Sequence, residues 1–472
     1  MILKNHLTIS TLMFVTLALS GCGSDDDNSL PIYETLNASG MTQLNYSDIV
    51  SADLDGDRDI DLVQCGYDPI GQTGRTEIYI NNQGTFELIA TPLDTNNDNE
   101  GDSALHGLEY ECALDLADMD NDGDIDIVGT GAGPAPDYGV FTHIFENKGN
   151  QIFTTKTEWV RNSDDTLSNF LGTNQGFVTF ADMNNDKHFE VMLSASTDQA
   201  NLSKLYLNNT DGTFSVIDNP VNGSAVLLNK NNGTHAWGDF NNDQYQDLII
   251  IGGQSDAAIH LYKNNQDNTF TKVINPVDGT EEFPGLYTGP ISWGDIDGDN
   301  DLDLLISAAE GSTYNAQTLI YENLGRDHAF NFSLIATPID TDADNISDSA
   351  FSEHGLSEMF LADIDGKDQL DIVLLGYNNN ERVNTYVTSI YLNTGKHTYQ
   401  KIENPVDSNN DSVGDTDFEL LSYGGATVAD LDNDGDNELI YNGTDYDTTL
   451  TVIYENIGNS TFVKVSEPAQ QP

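Results

Sequence analysis

The chain has 472 residues, and its 78 Asp plus Glu against 17 Lys plus Arg give a formal net charge of -61. That surplus makes nucleic acid and anionic lipid surfaces poor partners, and it calls for salt or bound cations before the chain can be compact. Hydrophobic residues still make up 38% and aromatics 9%, which excludes a disordered acidic tail.

In chain order, Lys4 and His6 precede an apolar stretch, Leu7 to Leu19, that is too short for a stable membrane span. It ends in Leu19-Ser20-Gly21-Cys22. This order resembles the lipobox of bacterial lipoproteins. The resemblance implies a signal peptide over 1–21, cleavage before Cys22 and lipid on its sulfur. Gly23 after the lipidated position implies the outer membrane. Residues 22–30 form a hydrated acidic tether, and 31–472 form the folded part. Membrane contact is expected through Cys22 only.

The folded part is a repeat. Seven nine-residue loops begin at Asp53, Asp118, Asp182, Asp239, Asp295, Asp363 and Asp430, spaced 65, 64, 57, 56, 68 and 67 residues apart. Behind each stands a hairpin signal, such as Ile78-Tyr79-Ile80-Asn81-Asn82 followed by Gly84 and Phe86. Each repeat therefore reads as four short strands, A to D, with the acidic loop between A and B. Four-stranded units repeated radially predict an all-β fold, a seven-bladed β-propeller. The linear solenoid alternative would need capping repeats, and none is evident. Six residues before each loop stand Ser47, Cys112, Gly176, Gly233, Gly289, Ser357 and Gly424. All are small, as expected where inner strands converge on an axis. This explains Cys112 as a small buried residue, while a cross-blade disulfide with Cys65 stays open. Strand-D-like runs near Ile32 to Leu36 and Phe462 to Val465 suggest that one end completes the blade of the other.

Side-chain oxygens at loop positions 1, 3, 5 and 9, with a backbone carbonyl at 7, suit a calcium ion. The first two loops supply Asp53, Asp55, Asp57, Asp59 and Asp61, then Asp118, Asp120, Asp122, Asp124 and Asp126. The next two supply Asp182, Asn184, Asp186, His188 and Glu190, then Asp239, Asn241, Asp243, Tyr245 and Asp247. The fifth has Asp295, Asp297, Asp299, Asp301 and Asp303, and the seventh Asp430, Asp432, Asp434, Asp436 and Glu438. The sixth keeps Asp363, Asp365 and Asp371 but has Lys367 at position 5, so its ammonium is expected to replace the cation. About six or seven calcium sites follow. A similar pattern follows Pro92, Pro338 and Pro405 in three D–A connections, 94–102, 340–348 and 407–415. These are up to about three further sites, expected on the face opposite the A–B loops.

The loops and hairpins resemble the FG-GAP repeat family, including the VCBS group and the integrin α-subunit propellers. The resemblance implies a calcium-loaded binding or adhesion module. Tyr67, Tyr138, Tyr314, Tyr377 and Tyr446 in the B–C loops suit a glycan or protein ligand. The alternatives are a lyase-like, calcium-dependent polysaccharide-degrading enzyme using His106, His235 or His354, and a scaffold for envelope assembly. No Ser-His-Asp order, phosphate loop or zinc spacing supports catalysis.

Overall fold

The computed structural model describes residues 36–37, 40–133, 139–156, 158–196, 201–218, 220–222, 227–228, 233–253, 256–287, 289–310, 316–341, 347, 349–351, 355–378, 385–409, 411–419, 421, 424–445 and 448–465. Cys22, the segments 1–21 and 22–30, Tyr138, Tyr314, Tyr446 and His354 lie outside them.

Seven sheets, antiparallel but for the pairing of Val160 with Phe214 in blade 3, follow one another as a propeller. Blade 1 runs Asn45–Ala52, Asp61–Asp68, Thr73–Asn82 and Thr85–Leu88 as strands A to D. Strand A begins at Glu109, Asn174, Thr234, Ile291, Gly355 and Ala426 in blades 2 to 7. Blade 3 carries two extra outer strands, Val160–Arg161 and Leu167–Ser168, and in blade 5 Leu286–Tyr287 pairs the far end of strand B on the strand-A side. The helical element among the described residues is a single 3-10 turn, Arg326–His328.

The core is distributed between the blades, with a separate apolar cluster at each of the seven seams. This explains the unbroken apolar strand B of blade 4. Leu248 and Ile250 pack toward blade 3, and Ile249 and Ile251 toward blade 5. A strand covered on both faces needs no polar alternation.

Three expectations are revised by the geometry. Blades 1 and 7 are each built from one continuous stretch, β-strands Asn45 to Leu88 and Ala426 to Lys464, so each four-stranded sheet is complete among the described residues without the other terminus; Ile32 to Thr35 lie outside them. Closure is by side chains. Ser47 bonds Asn442 at 2.7 Å and Ser51 bonds Thr427 at 2.9 Å. Leu36, Met41 and Ile49 share a cluster with Leu431, Ile440 and Ile453.

The small residues before the loops answer to their own blade as well as to the neighbouring one. Ser47, Cys112, Gly176 and Ser357 fall where strand A slips register against strand B. A Cβ on Gly424 would stand 1.7 Å from the Asn442 carbonyl oxygen, on strand B of the same blade. A bulge brings the two backbones together, and that excludes bulk.

The acidic D–A connections, too, are not free loops of the opposite face. Leu93, Ile339 and Val406 each bridge in parallel to the first residue of the next blade's strand D, Phe153, Tyr399 and Phe462. They are moored to the rim at the seams. Finally, Cys65 of blade 1 and Cys112 of blade 2 form a disulfide across a seam, 47 residues apart in sequence.

Candidate functional site

The seven A–B loops share one conformation. The position-1 Asp accepts the amide of position 6 in every loop, from Arg58 to Asp53 at 3.0 Å through Gly435 to Asp430 at 3.1 Å. Positions 4 and 6 are left-handed throughout. Position 4 is always Gly or Asn, the residues that reach this region most cheaply.

Position 9 clips the loop shut. Asp61 accepts the amides of Leu54 and Asn81, both at 2.7 Å, and its counterparts do the same in blades 2, 3, 5, 6 and 7. Blade 4 substitutes the Asn241 side chain for one amide, 2.6 Å from Asp247. Burial pushes Asp61, Asp126, Glu190 and Asp247 up to about 8, Asp303 and Asp371 to about 7, and Glu438 to about 9; the amide bonds oppose the rise and neighbouring loop carboxylates add to it.

Sequence reasoning missed the residue that joins the ring. At or next to the end of each strand C stands an Asn: Asn81, Asn147, Asn208, Asn264, Asn323, Asn393 or Asn456. Its side-chain amide donates to the position-2 carbonyl of the preceding blade's loop, at 2.7 to 3.1 Å. The C–D hairpin of one blade is thus a lid on the loop of the blade before it. The signal was present in the seven hairpin Asn residues, but the seam they cross was not.

Within the loops, oxygens of Asp53, Asp55 and Asp57 gather within 4.8 Å of one another, as do those of Asp118, Asp120 and Asp122, of Asp295, Asp297 and Asp299, and of Asp363, Asp365 and Asp371. Oδ1 of Asp120, Asp365 and Asp430 is buried with no hydrogen-bond partner. Acceptor-only oxygens without a donor, held beside other carboxylates, fit a hard cation.

At position 7, His188 places its ring beside Asp186, with Nδ1 3.6 Å from the carboxylate. The position-7 amide donates to the position-5 carboxylate in six loops, among them His188 to Asp186 at 2.9 Å and Tyr245 to Asp243 at 3.2 Å. Lys367 cannot accept that bond. Among the described residues its ammonium reaches Asp365, through Oδ2, and the side chain is 68% exposed. A second cation, unforeseen in the sequence, reaches the fourth loop: Lys263 of strand C lies 3.3 Å from Asp243.

The D–A loops repeat the A–B turn. Asp94 accepts the amide of Asn99 at 2.9 Å and Asp407 that of Ser412 at 2.6 Å. Asp342, Asp344 and Asp348 lie outside the described residues.

Of the histidines that the enzyme alternative would use, His235 and His106 are described. His235 is buried between Thr179 and Ser194, 2.8 Å from each, and burial holds it down at about 3. His106 packs against His143, with ring centroids 4.8 Å apart. Tyr67 is half-buried, and it alone of the five B–C tyrosines has a described side chain. No helix among the described residues is long and apolar enough to cross a membrane.

With this geometry in view, the comparisons divide. Residues 239–306 match the FG-GAP-like repeat. That repeat spans the fourth loop, the rest of blade 4, and blade 5 as far as its own loop and the start of strand B. No curated protein matches the chain. Among solved structures, the chain is similar to an Agrocybe aegerita lectin that recognises non-reducing terminal N-acetylglucosamine, at 17% identity and TM-score 0.49, over 89% of each chain. It is also similar to fructan 1-exohydrolase IIa of Cichorium intybus, at 10% identity and TM-score 0.31, over 94% of this chain and 93% of that one. Likeness this distant says nothing about ligand or chemistry.

Proposed function

We propose that the chain is a calcium-loaded binding module, tethered through Cys22 in the outer membrane, whose rigid ring presents its loops to a glycan or protein ligand. One observation carries the cation part: buried, unpartnered carboxylate oxygens of Asp120, Asp365 and Asp430 stand inside loops of a single repeated shape. Bound cations would relieve that orphaned charge and offset the net charge of -61. The ions would be held by Asp, Asn and Glu at positions 1, 3, 5 and 9. The paired turns at Asp94 and Asp407 fit further ions of the same kind.

A binding role is favoured over catalysis because the described histidines are packed or dispersed. The rigid scaffold leaves the loops for recognition. The test is metal content as isolated, followed by glycan-array and thermal-melt measurements with and without EGTA. The reading requires several calcium ions per chain, a lower melting point after chelation, and loss of any array signal. An unsaturated product from a uronic-acid polysaccharide would overturn it.

A further inference from the structure

The seam between blades 5 and 6 differs from the other six. The recurrent aromatic that opens strand D is Phe86, Phe153, Phe214, Phe270, Phe332 and Phe462 elsewhere, but Tyr399 in blade 6. Two residues earlier, the lid position holds Gly84, Gln151, Gly212, Asn268, Phe330 or Ser460 elsewhere, but His397 in blade 6. Both departures meet the same loop. The lid hairpin of blade 6 sits on the fifth loop, where Asn393 donates to the Ile296 carbonyl at 2.9 Å. There, one atom each from His397, Asp297 and Asp303 lie within 4.8 Å of one another.

Nε2 of His397 is buried, lacks a hydrogen-bond partner, and stands 3.5 Å from Oδ2 of Asp297; the two side chains are 13% and 20% exposed. The second observation is independent of the cluster. Tyr399 is 0% exposed, and its hydroxyl has no partner. That phenol lies within electrostatic reach of Asp371, Asp303 and Asp297. A buried O–H and a buried imidazole nitrogen, both without a hydrogen-bond partner and both within electrostatic reach of Asp297 and Asp303, fit a shared ligand. At bonds of about 2.1 Å, tetrahedral ligand atoms sit roughly 3.4 Å apart, which small side-chain shifts inside this cluster supply.

We propose that this seam is a cross-blade site for a borderline divalent transition metal, ligated by Nε2 of His397 with Asp297 and Asp303, and with Tyr399 as the buried oxygen donor beside them. Oxygen-only loops favour calcium, whereas an imidazole in the set favours zinc and its neighbours. The metal would join blade 5 to blade 6, since its ligands come from both. The metal would take the place of calcium in the fifth loop, whose Asp297 and Asp303 it uses, but it does not depend on calcium in the other loops, so the two readings fail separately.

The probe is Zn2+ titrated calorimetrically into the full chain after metal stripping, in a large excess of calcium, with Co2+ absorption as the spectroscopic readout. One equivalent should bind, with Co2+ visible bands that report nitrogen ligation. His397→Gln should lose at least about tenfold in zinc affinity while its calcium stoichiometry stays that of wild type. Tyr399→Phe restores the residue of the other six blades, so it should fold and weaken zinc binding severalfold. Equal zinc binding by wild type and His397→Gln, or none by either, overturns the site and leaves His397 as an ion-pair partner of Asp297.

Discussion

At the residue scale, position 5 of the loop is where single side chains decide cation affinity. In six loops it is an Asp that accepts the position-7 amide, and in the sixth it is Lys367, which binds Asp365 from one side only. Asp365 keeps Oδ1 buried and unpartnered, so the cage is damaged rather than filled. Lys367→Asp should restore the carboxylate, remove the competing ammonium and add one calcium per chain. Native mass spectrometry across a calcium titration counts it, and an unchanged count would show that the sixth loop was never limited by Lys367. Position 5 was legible in the sequence because the motif fixes its offset. Lys263 was not, because it enters the fourth loop from strand C through folding.

At the element scale, the C–D hairpin acts on a neighbour. Asn264 is buried, and its side chain donates both to the Met183 carbonyl of blade 3 and to the Gln246 carbonyl of its own blade, at 2.7 and 2.9 Å. Asn264→Ala leaves two buried carbonyls short of a donor, at a cost of about 1–3 kcal/mol. Chemical denaturation should read that loss, and a change below about 0.5 kcal/mol would mean that water replaces the amide. The disulfide does similar work between blades 1 and 2. Closing 47 residues restricts the unfolded chain by about 4 kcal/mol in the chain-entropy view. Cys65→Ser with Cys112→Ser should therefore melt earlier than wild type, and the reductant-induced drop in wild type should vanish in the double variant. Sequence alone left that pair open, since Cys112 was also explained as a small buried residue where inner strands converge.

At the scale of the whole molecule, charge and cations set stability together. Seven buried position-9 carboxylates are held well above their ordinary range, at about 7 to 9. A carboxyl with a raised folded-state value binds more protons folded than unfolded. Its stabilisation is present at low pH and is lost as pH rises through the folded value. The metal-free chain should therefore melt at progressively lower temperature between about pH 5 and about pH 9. Saturating calcium should flatten that slope, because the cation takes over from the proton. A melting point of the metal-free chain that climbs over this interval would contradict the assignment.

The sequence by itself determined the blade number, the four-strand unit, the loop positions and the extreme charge. These are local properties: a turn that needs Gly or Asn at position 4 and carboxylates at fixed offsets is written within nine residues. Only the tertiary structure decided what crosses a seam. The Asn bolts, the Cys65–Cys112 pairing, the side-chain closure of blade 7 on blade 1, and the meeting of His397 with Asp297 all join residues far apart in the chain. A repeat pattern describes each blade alike; the packing of one blade's lid on the next blade's loop is set by three-dimensional register, which no single repeat contains.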